Sequence, residues 1–349
     1  MFSEFMYYIG YSIKKWHSLK NQKKLPFKVI SIGNITVGGT GKTPAAIAVA
    51  EEAKKRGLNP VILTRGYRGK AKGPCFVISG QQKNSSLLYG DEPVLLAERL
   101  KDVPIVKCAD RYEGGMFALQ SLSSSNSPIH QFTNSPVVFI LDDGFQHWKL
   151  HRDIDIVLVN GQNPYGNMKM LPLGPLREPL PELKRAGIFV ITGKSSEARK
   201  PGSSEGEKNI SSGLVAELNR YNPAAPVFFS KHRLTGIRDI KGNRPEMSLL
   251  KDKKVYAFCG LANPESFRQT VLSLGCDICG FKSYRDHYKY SNDDMSYLEA
   301  QARELTCDFL VTTEKDMVKL REMRLPENLL CAEISFYVDR AFFDQIFME

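Results

Sequence analysis

No stretch of this 349-residue chain holds the roughly eighteen consecutive apolar residues that a membrane-spanning helix needs. The first residues also lack an uninterrupted apolar core and an obvious cleavage site, so no secretory signal is expected. Cysteine is sparse, with seven at 75, 108, 259, 276, 279, 307 and 331. An odd, scattered set gives no disulfide framework and points to a reducing compartment. Cys276 and Cys279 form one CxxC without a second pair, which reads as buried thiols before it reads as a zinc site. Negative charge is short as well. Against 48 Lys and Arg stand 38 Asp and Glu, a net charge of +10. That excess favours anionic partners: phosphorylated substrates, an acidic membrane surface or nucleic acid. No nucleic-acid reader motif accompanies it, and a merely basic surface accounts for it equally. The length suggests about two domains, and 42% apolar residues suffice for a core in each.

What is present centres on one stretch. Val29–Ile32 is a short apolar run of the kind found in a buried strand. A glycine-rich loop follows, Thr36-Val37-Gly38-Gly39-Thr40-Gly41-Lys42-Thr43, and then a helix-forming segment, Ala45–Lys55. Strand, glycine loop and helix in that order make a phosphate-binding loop. Backbone N–H groups cradle phosphates, Lys42 reaches the β- and γ-phosphates of ATP, and the Thr43 hydroxyl sits on Mg²⁺. The usual pattern opens on a glycine, and here Thr36 holds that position. About a hundred residues on, Val137–Leu141 runs straight into Asp142-Asp143-Gly144-Phe145-Gln146-His147. An apolar strand ending in a carboxylate is the second half of a nucleoside triphosphatase site, with Asp142 on Mg²⁺ and Asp143 beside it.

Other stretches fit around this pair. Pro60–Thr64 reads as a strand, followed by a basic loop, Arg65-Gly66-Tyr67-Arg68-Gly69-Lys70, at the strand end where open α/β sheets bind ligands. Arg65 and Arg68 there suit bidentate phosphate contacts, or simply a solvated loop. Asp91 precedes a helix and is either its cap or a carboxylate aimed into the cleft. Residues 163–179 form a proline-rich loop suited to a substrate wall. The stretches 121–136 and 194–213 read as a surface loop and a solvated linker. Phe2, Phe5, Met6, Ile9, Ile13 and Trp16 recur at helical spacing with lysines following, which suits a helix lying in a membrane interface or one docked on its own domain. Strands and helices alternate again after residue 215, so the fold class is α/β throughout. A partitioning-type ATPase is disfavoured, because that group often carries a lysine where Val37 stands.

Taken in order, GNITVGGTGKTP, RGYRG, GDEP, ADR, LDDGFQH, LPLGPLREP, Asp286-His287-Tyr288 and VTTEKD resemble the tetraacyldisaccharide 4′-kinases of Gram-negative bacteria over nearly the whole chain. The resemblance implies two α/β/α sandwich domains with the site between them. The first is P-loop NTPase-like with a mainly parallel sheet, residues 26–213, and the second is smaller, 214–349. Residues 1–25 then form an amphipathic helix that contacts membrane and lipid. It implies transfer of the ATP γ-phosphoryl group to the 4′-hydroxyl of a tetraacylated glucosamine disaccharide 1-phosphate, by an enzyme held peripherally on the cytoplasmic face of the inner membrane. No obligatory protein partner and no nucleic acid are expected. Asp91 matches the family's proton-accepting carboxylate and His287 its partner. Arg65, Arg68, Arg111 and Arg177 are candidate phosphate or sugar contacts, and Glu178 a support for metal or substrate. His147 and His151 are expected at the surface or in supporting positions.

Overall fold

The computed structural model describes residues 2–78, 85–122, 135–193 and 205–348. The front of the chain contributes α1 (Phe2–Lys20), β1 (Lys28–Gly33), α2 (Lys42–Lys55), β2 (Asn59–Thr64), β3 (Cys75–Phe76) and α3 (Ser85–Tyr89). It continues with α4 (Asp91–Arg99), β4 (Ile105–Lys107), α5 (Arg111–Leu122), β5 (Val137–Asp142), β6 (Ile154–Asn160) and β7 (Ile188–Thr192). The rest gives α6 (Glu205–Tyr221), β8 (Val227–Asp239), β9 (Lys254–Cys259), α7 (Pro264–Leu272), β10 (Asp277–Ser283) and α8 (Asn292–Glu304). Last come β11 (Phe309–Thr313), α9 (Glu314–Leu320), β12 (Leu329–Val338) and α10 (Arg340–Phe347).

The described strands form one sheet in the order β10-β9-β11-β12-β8-β7-β6-β1-β5-β2-β4-β3. Neighbours are parallel except β8 with β12 and β3 with β4. Parallel strands buried on both faces need apolar residues of both parities, and β1 has them. Ile30 and Ile32 face one core with Ala46, Ala50 and Leu96, while Val29 joins a second with Leu63 and Ala118. The same alternation recurs in β9. Val255, Ala257 and Cys259 pack with Phe267 and Val271 of α7, and Tyr256 and Phe258 with Met295 and Leu298 of α8. Helices therefore cover both faces in each half, an α/β/α arrangement.

Two features stitch the halves together. β8 pairs with β7 on one side and with β12 on the other. α10 returns to the first core, where Phe342 and Ile346 pack with residues of α2. Between the halves α4 lies against α9, and Arg99 Nη1 donates to both oxygens of Glu314, at 2.9 and 3.0 Å, with the carboxylate nearly buried.

The loop expected over 121–136 falls mostly outside the described residues, as do 194–204 of the expected linker. From residue 205 that linker reading is corrected: Glu205–Tyr221 is a helix. Leu214 and Leu218 lie four residues apart and bury one helical face against Phe189 and Ile191. Among the described residues, no helix is long and apolar enough to cross a membrane.

α1 docks on its own domain along one face and leaves the other open. Tyr7 and Tyr11 dock onto the core, with the Tyr11 ring edge-on to Trp148 at 5.4 Å. Glu4 accepts the backbone N–H of Met170 at 2.8 Å, and Lys15 pairs with Glu182. The other face carries Phe5, Met6, Ile9, Ile13 and Trp16, all exposed, Ile13 and Trp16 by more than 60%. The aromatic stripe is thus turned outward, not spent on packing.

Candidate active site

The sheet order sets the site. β1 lies between β5 and β6, and the register pairs Ile32 with Asp142. The loop leaving β1 and the carboxylate ending β5 are therefore side by side. β2 flanks β5, so the Arg65–Lys70 loop opens at the same sheet edge. A cleft of about 1470 Å³ lies there, bounded by the phosphate loop, Asp142, Asp143 and Arg177 from the front half and by His232, Asn263, His287 and Lys315 from the back.

Within the loop, Gly38 and Gly41 take positive φ, +117° and +85°. Gly41 is also the cap residue of α2, and any Cβ there would collide with the His232 ring. Thr36 is not left-handed, which is why the missing first glycine is tolerated. It bridges to Leu176, and the Val37 N–H donates to Pro175 O at 2.7 Å, so the proline-rich loop braces the phosphate loop. Thr36 is buried, Val37 is exposed, and Gly38, Gly39, Thr40, Gly41, Lys42 and Thr43 line the cleft. Lys42 Nζ lies 3.2 Å from Asn34 Oδ1, 3.3 Å from Gly38 O and 3.7 Å from Asp143 Oδ1.

The two aspartates differ. Asp142 is buried, and its Oδ1 has no hydrogen-bond partner among the described residues. Burial raises its pKa, with the negative charges of Glu92 and Asp143 adding to the effect. Asp143, in the left-handed region at φ 56°, is turned to face two cations. Arg177 Nη1 donates to its oxygens at 2.9 and 2.8 Å. Burial alone would raise the Asp143 pKa, but Lys42 and Arg177 outweigh it and hold the carboxyl below its ordinary range.

Across the cleft stands His287, backed by Asp91, which is not itself among the cleft-lining residues. α4 is capped by Gly90 at φ +94°, where a side chain would strike the Tyr67 carbonyl, and no side chain caps this helix. The cap reading of Asp91 is therefore replaced: its Oδ2 lies 3.3 Å from His287 Nδ1. His287 is itself left-handed, φ 56°, and Arg68 Nη1 donates to its carbonyl at 2.8 Å. Lys315 Nζ contacts Asp286 Oδ1 at 3.1 Å, Glu92 Oε1 at 3.3 Å and His287 Nε2 at 3.3 Å.

The remaining predicted residues divide. Arg65 and Arg111 line the cleft. Arg111 is buried, donates to Ala109 O at 2.8 Å and has an unpartnered Nε; burial, with Arg65 adding to it, pushes its pKa down to about 10. Arg68 is occupied with the His287 backbone. Glu178 is not among the cleft-lining residues; it is fully buried and paired with Arg185. His147, expected in a surface or supporting position, lines the cleft, neutral, its pKa lowered to about 3 by burial and then by Arg111. Sequence reasoning gave no role to Lys315, Glu92 or Asn34. Each had a positional signal: Asn34 directly follows β1, Glu92 is the second residue of α4, and Lys315 is the second residue of α9, just past the end of β11.

A family model described as "LpxK: Tetraacyldisaccharide-1-P 4'-kinase" matches residues 4–348. The tetraacyldisaccharide 4′-kinase of Syntrophus aciditrophicus is 38% identical over 326 residues, 91% of this chain and 83% of that protein. The enzyme of the same name from Aquifex aeolicus is 36% identical over 300 residues, 86% of this chain and 81% of that protein. A crystal structure of LpxK from Aquifex aeolicus in complex with ATP is similar with a TM-score of 0.71 at 31% identity, covering 99% of this chain and 96% of that one. With a loop, a carboxylate pair and a second-half histidine converging on one cleft, and with relatives matching along nearly its full length, the chain belongs to the tetraacyldisaccharide-1-P 4′-kinase family.

Proposed function

We propose that this kinase carries out its reaction in the cleft between the phosphate loop and His287, with Asp91 as proton acceptor. The chain transfers the γ-phosphoryl group of ATP to the 4′-hydroxyl of a tetraacyldisaccharide 1-phosphate, a step of lipid A biosynthesis. The 4′ oxygen bonds to the γ-phosphorus, the bridge between γ-phosphorus and the β-phosphate oxygen breaks, and ADP departs. The hydroxyl proton passes to the Asp91 carboxylate, whose other partner is His287. The loop amides and Lys42 hold the β- and γ-phosphates in line with the acceptor. Thr43 and Asp142 suit Mg²⁺: both offer hard oxygens, and the buried, unpartnered Asp142 Oδ1 leaves a ligand position free. Bound there, Mg²⁺ would neutralise charge on the phosphates. Arg177 keeps Asp143 ionised beside them, and Arg65 and Arg111 add positive charge for substrate phosphate. The division that goes with this reading is a helix, 1–25, a kinase domain, 26–213, and a smaller domain, 214–349.

The observation that carries the reading is the convergence of two remote groups on one cleft: a cradle at Lys42 and Asp142, and the second-half His287, which lines the same cleft and contacts Asp91 of the first half at 3.3 Å. The test is incubation of the purified protein with labelled ATP, Mg²⁺ and the disaccharide 1-phosphate. Label in the 4′-phosphate is expected; ATP hydrolysis without lipid labelling would overturn the assignment.

The lipid end of the reaction uses α1. Tyr7, Gly10, Tyr11 and Lys14 line the same cleft, while Ile13 and Trp16 face outward. A helix that walls the site on one side and exposes aromatics on the other is suited to lie in the inner face of the bacterial inner membrane and deliver an acylated sugar from it. Ile13→Glu with Trp16→Glu is expected to weaken sedimentation with anionic vesicles about tenfold or more, because each apolar side chain is worth roughly 1.5–3 kcal/mol on burial. Turnover of detergent-dispersed substrate should stay near wild type. Unchanged vesicle binding would remove α1 from the membrane contact.

A further inference from the structure

Resting on the reading of Asp91 and His287 as the proton-accepting pair, we propose that Lys315 is a positioning residue that fixes the tautomer of His287, holding the ring proton on Nδ1 and aiming it at Asp91. Lys315 is the second residue of α9, directly beyond the end of β11, and its side chain is largely enclosed. Three acceptors surround its ammonium: Asp286 Oδ1 at 3.1 Å, Glu92 Oε1 at 3.3 Å and His287 Nε2 at 3.3 Å. An ammonium has three protons and no lone pair, so donors and acceptors match one for one.

The charge on Lys315 is secure. Burial works against it, but Glu92 and Asp286 outweigh burial and raise its pKa above the ordinary lysine value. A charged lysine can only donate, so Nε2 must accept. In a neutral imidazole the proton is then on Nδ1, 3.3 Å from Asp91 Oδ2. The other groups facing the ring are Glu92 at 4.0 Å, Asp286 at 3.9 Å and the Tyr67 ring at 5.6 Å. Both of those carboxylates are already engaged by Lys315, which leaves Asp91 to receive the ring proton's hydrogen bond.

The functional consequence is a division of labour. With Nε2 committed to Lys315 and Nδ1–H donated to Asp91, the imidazole cannot itself take the sugar proton. It orients and stabilises the anionic carboxylate, and the carboxylate is the acceptor. Lys315 also ties α9 to Glu92 of α4, so the tautomer is set by a contact that joins the two halves of the chain.

Long-range ¹H–¹⁵N spectra of full-length protein with ¹⁵N-labelled histidine test this directly. The chain has six histidines, and the His287→Gln spectrum identifies the signal of interest. The expected result in the wild type is a ring with the proton on Nδ1 and an unprotonated Nε2. In Lys315→Met the ring should relax to a tautomer mixture, and kcat should fall about 10- to 100-fold with the KM for ATP little changed. Lys315→Arg, which keeps a donor, should retain the Nδ1–H form. A wild-type ring protonated at Nε2, or wild-type tautomer and kcat in Lys315→Met, would overturn the proposal. Should Lys315→Met fail to fold, the wild-type spectrum still decides. The underlying pair stands or falls separately, on the activity of an Asp91 variant.

Discussion

Asp91→Asn is expected to lower kcat by about 10²- to 10⁴-fold, with the KM for ATP and the fold nearly unchanged. The substitution is chosen for its shape. Asn keeps an oxygen that can accept from His287 Nδ1, now 3.3 Å from Asp91 Oδ2, so the contact across the cleft survives. What is lost is the capacity to bind the hydroxyl proton as the new bond to phosphorus forms. A sugar hydroxyl attacks poorly while it retains its proton, so the loss falls on kcat and not on substrate binding. Steady-state kinetics with a matched thermal melt separate the two. Wild-type kcat in a folded Asp91→Asn enzyme would remove the carboxylate from the chemistry and leave it a structural tether for His287. A rise in KM at constant kcat would make it a substrate contact instead.

Much of the front half can be read from local sequence because the physics there is local. A strand, a glycine loop and a helix are contiguous between residues 28 and 55, and the strand that brings Asp142 is an uninterrupted apolar run. Sheet order then does the rest, since parallel neighbours end at one edge. Asp91 was ambiguous for a definite reason. The residue before or at a helix start can cap it or leave it, and only the glycine at position 90, left-handed and pressed against the Tyr67 carbonyl, decides which. Glu178 stands in a motif beside Arg177 and so shares its expectation, yet the two side chains part: Arg177 turns to Asp143, and Glu178 to Arg185. Neighbours in sequence on an irregular loop carry no information about direction.

The illegible parts depend on distant partners. Residues 205–213 have the composition of a linker, and the helix they open, Glu205–Tyr221, is held by Leu214 and Leu218 buried on the sheet. β12 was not assigned from the sequence. It is interrupted by Glu333, a residue that is buried only because Arg238 and Arg244 reach it from β8 and the loop beyond. Lys315 was visible as part of a motif but had no role, because its three acceptors come from α4 and from the loop before α8.

Lys42→Met should reduce kcat/KM for ATP by about 10²- to 10³-fold, the usual worth of one preorganised donor to developing negative charge. The structure gives two reasons for a loss in both kcat and KM. Lys42 is the one cation held by the loop itself, against Asn34 Oδ1 and the Gly38 carbonyl, so its ammonium is already placed before any phosphate arrives. It is also one of the two cations beside Asp143, at 3.7 Å, with Arg177 the other. Methionine keeps the apolar stem and removes the charge, so nucleotide phosphates meet Asp143 with its compensation reduced. Binding of the lipid disaccharide, which we propose uses the α1 side of the cleft, should change little, and that asymmetry is the discriminating readout. Isothermal titration with a non-hydrolysable nucleotide gives one side and the KM for lipid the other. Equal losses on both substrates would mean that the loop had collapsed. No loss for nucleotide would mean that phosphate is held by the loop amides and arginines alone, and the cradle would then have to be redrawn around Arg65, Arg111 and Arg177, which line the same cleft.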